Sequence, residues 1–268
     1  MSPSANPFVW YELMTSDATA AEAFYRSVIG WKTADAGMPG MTYTLLSVAE
    51  SAIAGLMKLP ADASAAGAQP GWLGYIAVDD VDARLAQLLQ AGGAMHHPAQ
   101  DIPGVGRFAT VADPQGAVFC LFKGDSGEPP PQPATGTPGT PGTPGTPGTM
   151  GWHELYAGDL DSAWAFYSAL FGWTKDEAID MGEMGVYQLF AAGAGSPAIG
   201  GMMTRPPQVP QPCWLYYVNV EAIDAAAARV TAASGQVVSG PMEVPGGSWI
   251  VQCLDPQGAM FAMVAPKR

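Results

Sequence analysis

Two glutamates beside aromatic residues are the clearest candidates for chemistry in this sequence. Glu12 lies in the segment FVWYELMT, and Glu154 lies in MGWHELYA. Alternate side chains of a strand share a face, so Trp10 accompanies Glu12 and Trp152 accompanies Glu154. Aromatic surroundings disfavour the ionised carboxylate, which makes a glutamate a usable general acid or base. The alternative role is ligand contact or structural anchoring through hydrogen bonds, without proton transfer.

Other residues able to bind a small molecule recur at equivalent places in the two halves of the chain. The repeated pairs are Tyr43 with Tyr187 and Trp72 with Trp214, while Arg107 and Trp249 are equivalent in position but differ in type. Aromatic rings pack against planar ligands, and a guanidinium group pairs with anions. We expect ligand-binding roles for these six residues and for Trp10 and Trp152. The exchange of Arg107 for Trp249 predicts different ligands for the two halves.

The chain is a duplicated unit. Sliding one half along the other superposes FY at 24–25 on FY at 166–167, and DPQGA at 113–117 on DPQGA at 255–259. Between the halves, residues 124–149 consist largely of Thr, Pro and Gly, a composition typical of a solvated linker. The sequence therefore predicts an N-terminal domain over 1–123, a linker over 124–149 and a C-terminal domain over 150–268.

The period of the apolar residues predicts the elements that position these candidates. Each half opens with a strand pattern, and then Asp17 or Asp159 offers a helix N-cap, with Gly30 or Gly172 placed to end the helix. Strand patterns follow, and a second strand, helix and strands complete the half. The predicted class is α+β, with two β-α-β-β-β modules in each half.

This pattern resembles the vicinal oxygen chelate superfamily, which includes glyoxalases, bleomycin-resistance proteins and extradiol dioxygenases. The resemblance lies in D-x(6)-F-Y-x(4)-G-W after the first strand and D-P-Q-G before the last, twice over. The W-x-E-L opening is most similar to its tandem glyoxalase-like bacterial proteins. The resemblance covers nearly everything except residues 124–149. It implies four modules paired into two glyoxalase-like domains, each with a curved mixed sheet around a cleft.

The resemblance also implies where a metal would bind. Relatives take His, Gln or Glu from the first strands of the paired modules and Glu from the last strand. The matching positions here are Trp10, Trp152, Leu73, Leu215, Cys120 and Ala262. We therefore expect no metal and no other cofactor. His153 lies one residue from such a position and is predicted to face the helix as a packing histidine, with metal binding as the alternative. His96 and His97 are predicted to lie in a solvated loop.

Composition restricts the partners. The chain has 268 residues, 48% of them hydrophobic, with Lys+Arg 11 against Asp+Glu 24 and a net charge of −13. Such an acidic chain lacks the basic surface that neutralises nucleic-acid phosphates. Its three cysteines are an odd number in a chain with ample core, which favours a reducing compartment. Because no long apolar run is present, we expect a cytoplasmic protein without a membrane anchor.

Three functions remain open from the sequence. The leading hypothesis is metal-independent binding of an aromatic or apolar small molecule in aromatic-lined clefts, for sequestration or carriage. The alternative is a glyoxalase-like enzyme of lyase, isomerase or hydroxylase/dioxygenase type that uses Glu12 and Glu154 or an unrecognised metal site. A third is an interaction protein with filled clefts. Two halves in one chain can supply the pairing that single-unit relatives achieve by dimerising, which is compatible with a monomer.

Overall fold

The computed structural model describes residues 6–38, 40–125 and 145–268. Within these ranges the strands form two mixed sheets of eight strands, one from each half. Residues 126–144, most of the predicted linker, lie outside the described residues. The predicted α+β class with four β-α-β-β-β modules is confirmed. No helix in the described ranges combines the length and apolar character that crossing a membrane requires.

The first half contains two modules separated by a five-residue helix. Its elements are β1 (Phe8–Thr15), α1 (Ala18–Val28), β2 (Lys32–Asp35), β3 (Tyr43–Val48), β4 (Ser51–Lys58), α2 (Ala61–Ala65), β5 (Gly71–Ala77), α3 (Val81–Gln90), β6 (Ala94–Ile102), β7 (Gly106–Ala112) and β8 (Val118–Gly124). The strand order is β2-β3-β4-β1-β5-β8-β7-β6. Strand β1 pairs with β4 in parallel, and β5 pairs with β8 in parallel.

The second half repeats this arrangement. Its elements are β9 (Met150–Ala157), α4 (Leu160–Phe171), β10 (Thr174–Asp180), β11 (Val186–Ala191), β12 (Ala198–Thr204), β13 (Cys213–Asn219), α5 (Ile223–Ala232), β14 (Gln236–Glu243), β15 (Trp249–Leu254) and β16 (Met260–Ala265), with a 3₁₀ turn at Gly182–Met184. The order is β10-β11-β12-β9-β13-β16-β15-β14. The two halves thus share one topology.

The helix boundaries follow from the capping residues that the sequence predicted. The carboxylate of Asp17 accepts the backbone N–H of Ala20 at 3.0 Å, so α1 starts directly after Asp17. Asp159 caps α4 in the same way. Gly30 follows α1 with φ +90° and Gly172 follows α4 with φ +68°, conformations that side chains disfavour. Both predicted caps and both predicted helix ends are confirmed.

The sequence pattern predicted three strands after each helix but did not locate β6 and β14, each of which lies at one edge of its sheet. Most of β6 is exposed, and its sequence AMHHPAQDI lacks the alternation that marks a half-buried strand. The prediction that His96 and His97 lie in a loop is therefore wrong, because both belong to β6. Strand β14 is similarly exposed. An edge strand gains backbone hydrogen bonds without burying side chains, so its residues carry little hydrophobic signal.

The modules pack in two compact units, each containing a module from both halves. In the first unit, residues 6–9 and 74–125 pack with residues 153–214. In the second unit, residues 10–73 pack with residues 145–152 and 215–268. Each unit therefore joins the first module of one half to the second module of the other half.

A buried hydrogen-bonded chain joins the two modules of the second unit. The Trp72 indole N–H donates to the Tyr25 hydroxyl at 2.9 Å, and that hydroxyl donates to Asp255 at 3.2 Å. The other oxygen of Asp255 accepts the backbone N–H groups of Gln257 and Ala259, both at 2.9 Å. Burial and the charge of Asp255 raise the pKa of Tyr25, and burial raises the pKa of Asp255. This chain therefore couples α1 to the D-P-Q-G turn of the other half.

The first unit contains an equivalent hydrogen-bonded chain, in which the tryptophan and tyrosine come from the second half and the aspartate comes from the first half. The Trp214 indole donates to the Tyr167 hydroxyl at 3.0 Å, and Tyr167 donates to Asp113 at 3.1 Å. The tryptophans that follow the helix ends bond to residues just before the first strand of the other half. Trp31 donates to the carbonyl of Gly148 at 2.7 Å, and Trp173 donates to that of Asn6 at 2.8 Å. The repeated F-Y, G-W and D-P-Q-G motifs thus serve module pairing.

Removing the hydroxyl of either Tyr25 or Tyr167 is expected to lower the free energy of unfolding of the protein. Tyr25→Phe and Tyr167→Phe each leave a buried indole N–H and a buried carboxylate oxygen without their partner, at a cost of about 1–3 kcal/mol. Equilibrium urea unfolding measures the loss. The control Glu50→Gln breaks the exposed ion pair with Lys32 and should change stability by less than about 0.5 kcal/mol. Tyrosine variants as stable as this control would contradict the structural role of the buried chains.

Candidate functional site

Strand β1 separates a core face from a face that carries Glu12. Val9, Tyr11 and Leu13 are buried on one side. On the other side Glu12 is only 5% exposed, whereas Trp10, two residues before it, is half-buried. The alternation predicted for this strand therefore places a buried carboxylate beside a partly accessible indole.

Tyr43 lies on the same face as Glu12 because Gly55 leaves room for its ring. The Trp10 indole N–H donates to the Tyr43 hydroxyl at 3.1 Å. Gly55 pairs in register with Glu12, and a Cβ atom on Gly55 would lie 1.9 Å from the Tyr43 hydroxyl oxygen. The phenol therefore covers the backbone of β4 at Gly55, the residue that lies next to Glu12 on the neighbouring strand β1. We call Trp10, Glu12, Tyr43 and Gly55 the N-terminal acidic–aromatic surface.

The second half builds an equivalent surface. Glu154 is 7% exposed and pairs in register with Gly201. The Tyr187 ring lies over this glycine, with two ring carbons 2.2 Å from where a Cβ atom would stand. We call Glu154, Tyr187 and Gly201 the C-terminal acidic–aromatic surface. Trp152 is half-buried and, two residues before Glu154 on β9, points to the same side of its strand.

The C-terminal surface has two neighbours that the N-terminal surface lacks. Burial, aided by the charge of Glu154 and opposed by Arg205, raises the pKa of Cys213 to about 11. Strand register and alignment place Gly71 and Leu59 at the matching positions of the first half. The Cys213 thiol therefore stays protonated at neutral pH and is a poor nucleophile. The two carboxylates have different electrostatic surroundings.

The structure places Trp72 and Trp214 in the core and not on an accessible surface. Both are 7% exposed, and each donates to the tyrosine of a buried hydrogen-bonded chain. Tyr75 and Tyr217, three residues further along β5 and β13, point to the opposite side. Sequence reasoning missed these two tyrosines, although strand alternation from the tryptophans is a signal that finds them.

Tyr75 and Tyr217 have different neighbours. Tyr75 contacts the rings of Phe108 and Phe122, with centroids at 6.0 and 6.2 Å. The hydroxyl of Tyr217 accepts the side-chain amide N–H of Gln252 at 3.0 Å. The second modules therefore differ in polarity, aromatic in the first half and amide-bearing in the second.

Arg107 and Trp249 both contact charged side chains of the protein. The Arg107 guanidinium pairs with Asp82 at 2.8 Å and with Asp101 at 3.0 Å. These carboxylates raise the pKa of Arg107 and balance its positive charge. Because Asp82 belongs to α3, Arg107 points to the helix side of β7. The guanidinium of Arg268 lies 4.9 Å from the centre of the Trp249 ring. This placement gives no support to the expected anion-binding role of Arg107.

His153 is a packing residue, as the sequence predicted. Its Nδ1 lies 2.6 Å from the Ile199 carbonyl oxygen, and its ring stacks on Phe8 with centroids 4.3 Å apart. Burial lowers the pKa of His153 to about 4. The imidazole is therefore neutral at physiological pH and is occupied by its backbone partner and by the Phe8 ring.

The donor set at the expected metal positions does not fit a divalent cation. Divalent sites need several convergent nitrogen, oxygen or sulfur ligands, whereas these positions offer indole, leucine and alanine side chains and one thiol. That thiol, Cys120, is fully buried beside the Thr110 hydroxyl at 3.5 Å. Across residues 6–38, 40–125 and 145–268, no group of three or more His, Cys, Asp or Glu side chains is placed to hold a metal.

Comparison with known proteins gives consistent matches over almost the whole chain. Residues 8–121 and 149–263 both match the family described as the Glyoxalase/Bleomycin resistance protein/Dioxygenase superfamily. The chain is 35% identical over 260 residues to "Putative glyoxylase CFP32" of Mycobacterium bovis, covering 96% of this chain and 94% of that protein. It is 28% identical over 266 residues to "Anthracycline biosynthesis protein DauV" of a Streptomyces species, covering 95% and 91%.

Solved structures share the fold at low sequence identity. A Mn(II)-bound glyoxalase from Novosphingobium aromaticivorans matches with a TM-score of 0.64 at 15% identity, covering 99% of this chain and 83% of that chain. Homoprotocatechuate 2,3-dioxygenase from Arthrobacter globiformis also matches with a TM-score of 0.64 at 15% identity, covering 100% and 81%. These likenesses extend to the fold, while the six positions discussed above lack a divalent donor set.

Burial of neutral His153 makes stability depend on pH. Its folded pKa of about 4 lies below the ordinary 6.5, so the unfolded chain binds the proton more readily between these values. The contribution of His153 to the free energy of unfolding should be constant above pH 6.5. It should fall as the pH drops towards 4, by at most about 3 kcal/mol. Urea unfolding of wild type and His153→Gln at several pH values isolates this contribution. Parallel stability curves for the two proteins would rule it out.

Proposed function

Because this chain belongs to the Glyoxalase/Bleomycin resistance protein/Dioxygenase superfamily, we propose that it binds a planar, mostly apolar small molecule at its two acidic–aromatic surfaces without a metal ion. The observation that carries this proposal is the N-terminal surface itself. There a half-buried indole and a buried carboxylate of β1 lie on the same face of the sheet as a phenol of β3, which is hydrogen-bonded to the indole across β4.

The composition of the surface suits such a ligand. Binding sites for small molecules gain most of their affinity from burying apolar area, and a few placed polar groups fix orientation. Trp10 and Tyr43 supply rigid aromatic area, and Glu12 supplies one hydrogen-bond acceptor. The role of two relatives in anthracycline biosynthesis, given in their names, supports a fused-ring ligand, because anthracyclines contain planar fused rings.

Metal independence rests on the chemistry of the side chains. The positions where relatives are expected to hold a cation carry Trp10 and Leu73 in the first half, and Trp152 and Leu215 in the second. None of these side chains has a lone pair suited to a divalent ion. The ligand is therefore held by apolar contact and hydrogen bonds, a mechanism that fits sequestration or carriage.

Proton transfer by the glutamates is a second candidate function. It is favoured by the burial of Glu12 and Glu154, each beside a tyrosine, because buried carboxylates serve as general bases. The probe 5-nitrobenzisoxazole is planar and opens its ring when a base removes one proton. Under this candidate, the Glu12→Gln/Glu154→Gln variant loses turnover of this probe at least a hundredfold. Equal turnover in both proteins would exclude the acid–base role.

The assembly and location that we propose follow from packing and cysteine chemistry. Modules of opposite halves already pair within one chain, so we propose a monomer. All three cysteines are free, which suits a reducing cytoplasm. The net charge of −13 argues against a nucleic-acid partner, and no membrane partner is proposed.

Calorimetry with 2-naphthol, a planar two-ring compound, tests the binding function. Wild type should bind it, and Trp10→Ala/Trp152→Ala should bind at least tenfold more weakly, which corresponds to about 1.4 kcal/mol of lost stacking. The control Trp249→Ala removes an indole that packs on Arg268 and should leave affinity within twofold. The proposal fails if wild type does not bind, or if the control weakens binding as much as the double variant.

A further inference from the structure

The glutamine of the first D-P-Q-G turn fastens the two modules of the first unit together. The side-chain amide N–H of Gln115 donates to the carbonyl of Asp159 at 2.9 Å, and the backbone N–H of Asp159 donates to the side-chain oxygen of Gln115 at 2.7 Å. Because Asp159 is the N-cap of α4, these two bonds hold the turn of one half against the corner between β9 and α4 of the other half. We call this pair of hydrogen bonds the glutamine clasp.

A glycine leaves the room that the clasp needs. A Cβ atom at Gly158 would lie 2.6 Å from the side-chain oxygen of Gln115, far inside van der Waals contact. The backbone of Gly158 has no positive φ angle, so its conformation is open to other residues. The close approach of the Gln115 amide is therefore what requires glycine at this position, because any side chain would displace the amide.

The second unit has the same turn but lacks the glycine. Alignment of the two halves places Gln257 at the position of Gln115, Asp17 at that of Asp159 and Ser16 at that of Gly158. The side-chain oxygen of Gln257 is buried and has no hydrogen-bond partner among the residues that the structure describes, so it does not accept the backbone N–H of Asp17. Ser16 carries the Cβ atom that the clasp excludes, which explains why the equivalent bond is missing.

A second buried oxygen without a partner lies at the same corner. The hydroxyl of Thr15, directly before Ser16, makes no hydrogen bond within the described parts of the chain, and the equivalent Ala157 has no polar side chain to satisfy. Thr15 and Gln257 both belong to the second unit. Buried polar atoms without partners raise the free energy of the folded state, so the corner between β1 and α1 is held less firmly than its equivalent in the first unit.

We propose that Ser16 keeps the glutamine clasp of the second unit open, so that the two modules of this unit separate at a lower free energy than those of the first unit. Local opening of this kind occurs in cooperative segments that coincide with supersecondary motifs. The duplicated chain thus contains one closed clasp and one open clasp, and the residue at position 16 or 158 decides which. This conformational difference depends on neither ligand nor metal, so it stands apart from the proposed function.

Native-state hydrogen exchange of the full-length protein tests the two clasps with matched variants. Gln115→Ala removes both bonds of the closed clasp and should accelerate exchange of the α4 amides at least about threefold. Gln257→Ala removes a glutamine whose clasp is open and should leave exchange of the α1 amides within about twofold. Equal acceleration by the two substitutions would overturn the proposal, because it would mean that both glutamines hold their units equally.

Substitutions at Ser16 test whether its Cβ atom is the obstacle. Ser16→Gly should slow exchange of the α1 amides at least about threefold relative to Ser16→Ala, although glycine by itself destabilises folded structure relative to alanine. This advantage of glycine should disappear when Gln257→Ala is added. A Ser16→Gly protein that exchanges as fast as Ser16→Ala, or an advantage that survives Gln257→Ala, would overturn the proposal.

Discussion

The structure depends on one constraint, that the buried indole, phenol and carboxylate of each compact unit satisfy one another. In the second unit Tyr25 accepts from Trp72 and donates to Asp255, so a helix, a strand and a turn from opposite halves are fixed together. Each of these polar groups would cost about 1–3 kcal/mol if it were buried without its partner. The same residue types must therefore recur in both halves, which explains why the repeated motifs are so similar.

The residues that satisfy this constraint lie on one face of the sheets. The side chains on the opposite face are therefore free to differ between relatives. The core face of β1 carries Tyr11 and Leu13, whereas the opposite face carries Trp10 and Glu12. Side chains on the second face do not contribute to the buried chains. A fold shared with a manganese-bound glyoxalase can thus carry indoles where a cation would need donors. The proposed function therefore separates superfamily membership from metal chemistry in this chain.

The sequence predicted what local patterns determine. Asp17 before an amphipathic segment and Gly30 after it define a helix without tertiary information, and the internal repeat revealed the modules. The outer strand β6 was not located because it buries little apolar area. Trp72 was assigned to the binding surface because it adjoins an expected ligand position, yet strand parity sends it into the core. The partners of Arg107 lie on α3 and β6, so the neutralised charge of Arg107 was visible only in three dimensions.

The central claim is that these surfaces hold a planar ligand without a cation. The most direct measurement is a crystal structure of the chain with 2-naphthol, with anomalous diffraction recorded at the manganese, iron, nickel and zinc absorption edges. The account predicts ring density against Trp10 or Trp152, with the ligand hydroxyl at Glu12 or Glu154 and no anomalous peak within coordination distance of those side chains. A coordinated ion beside either glutamate would contradict it.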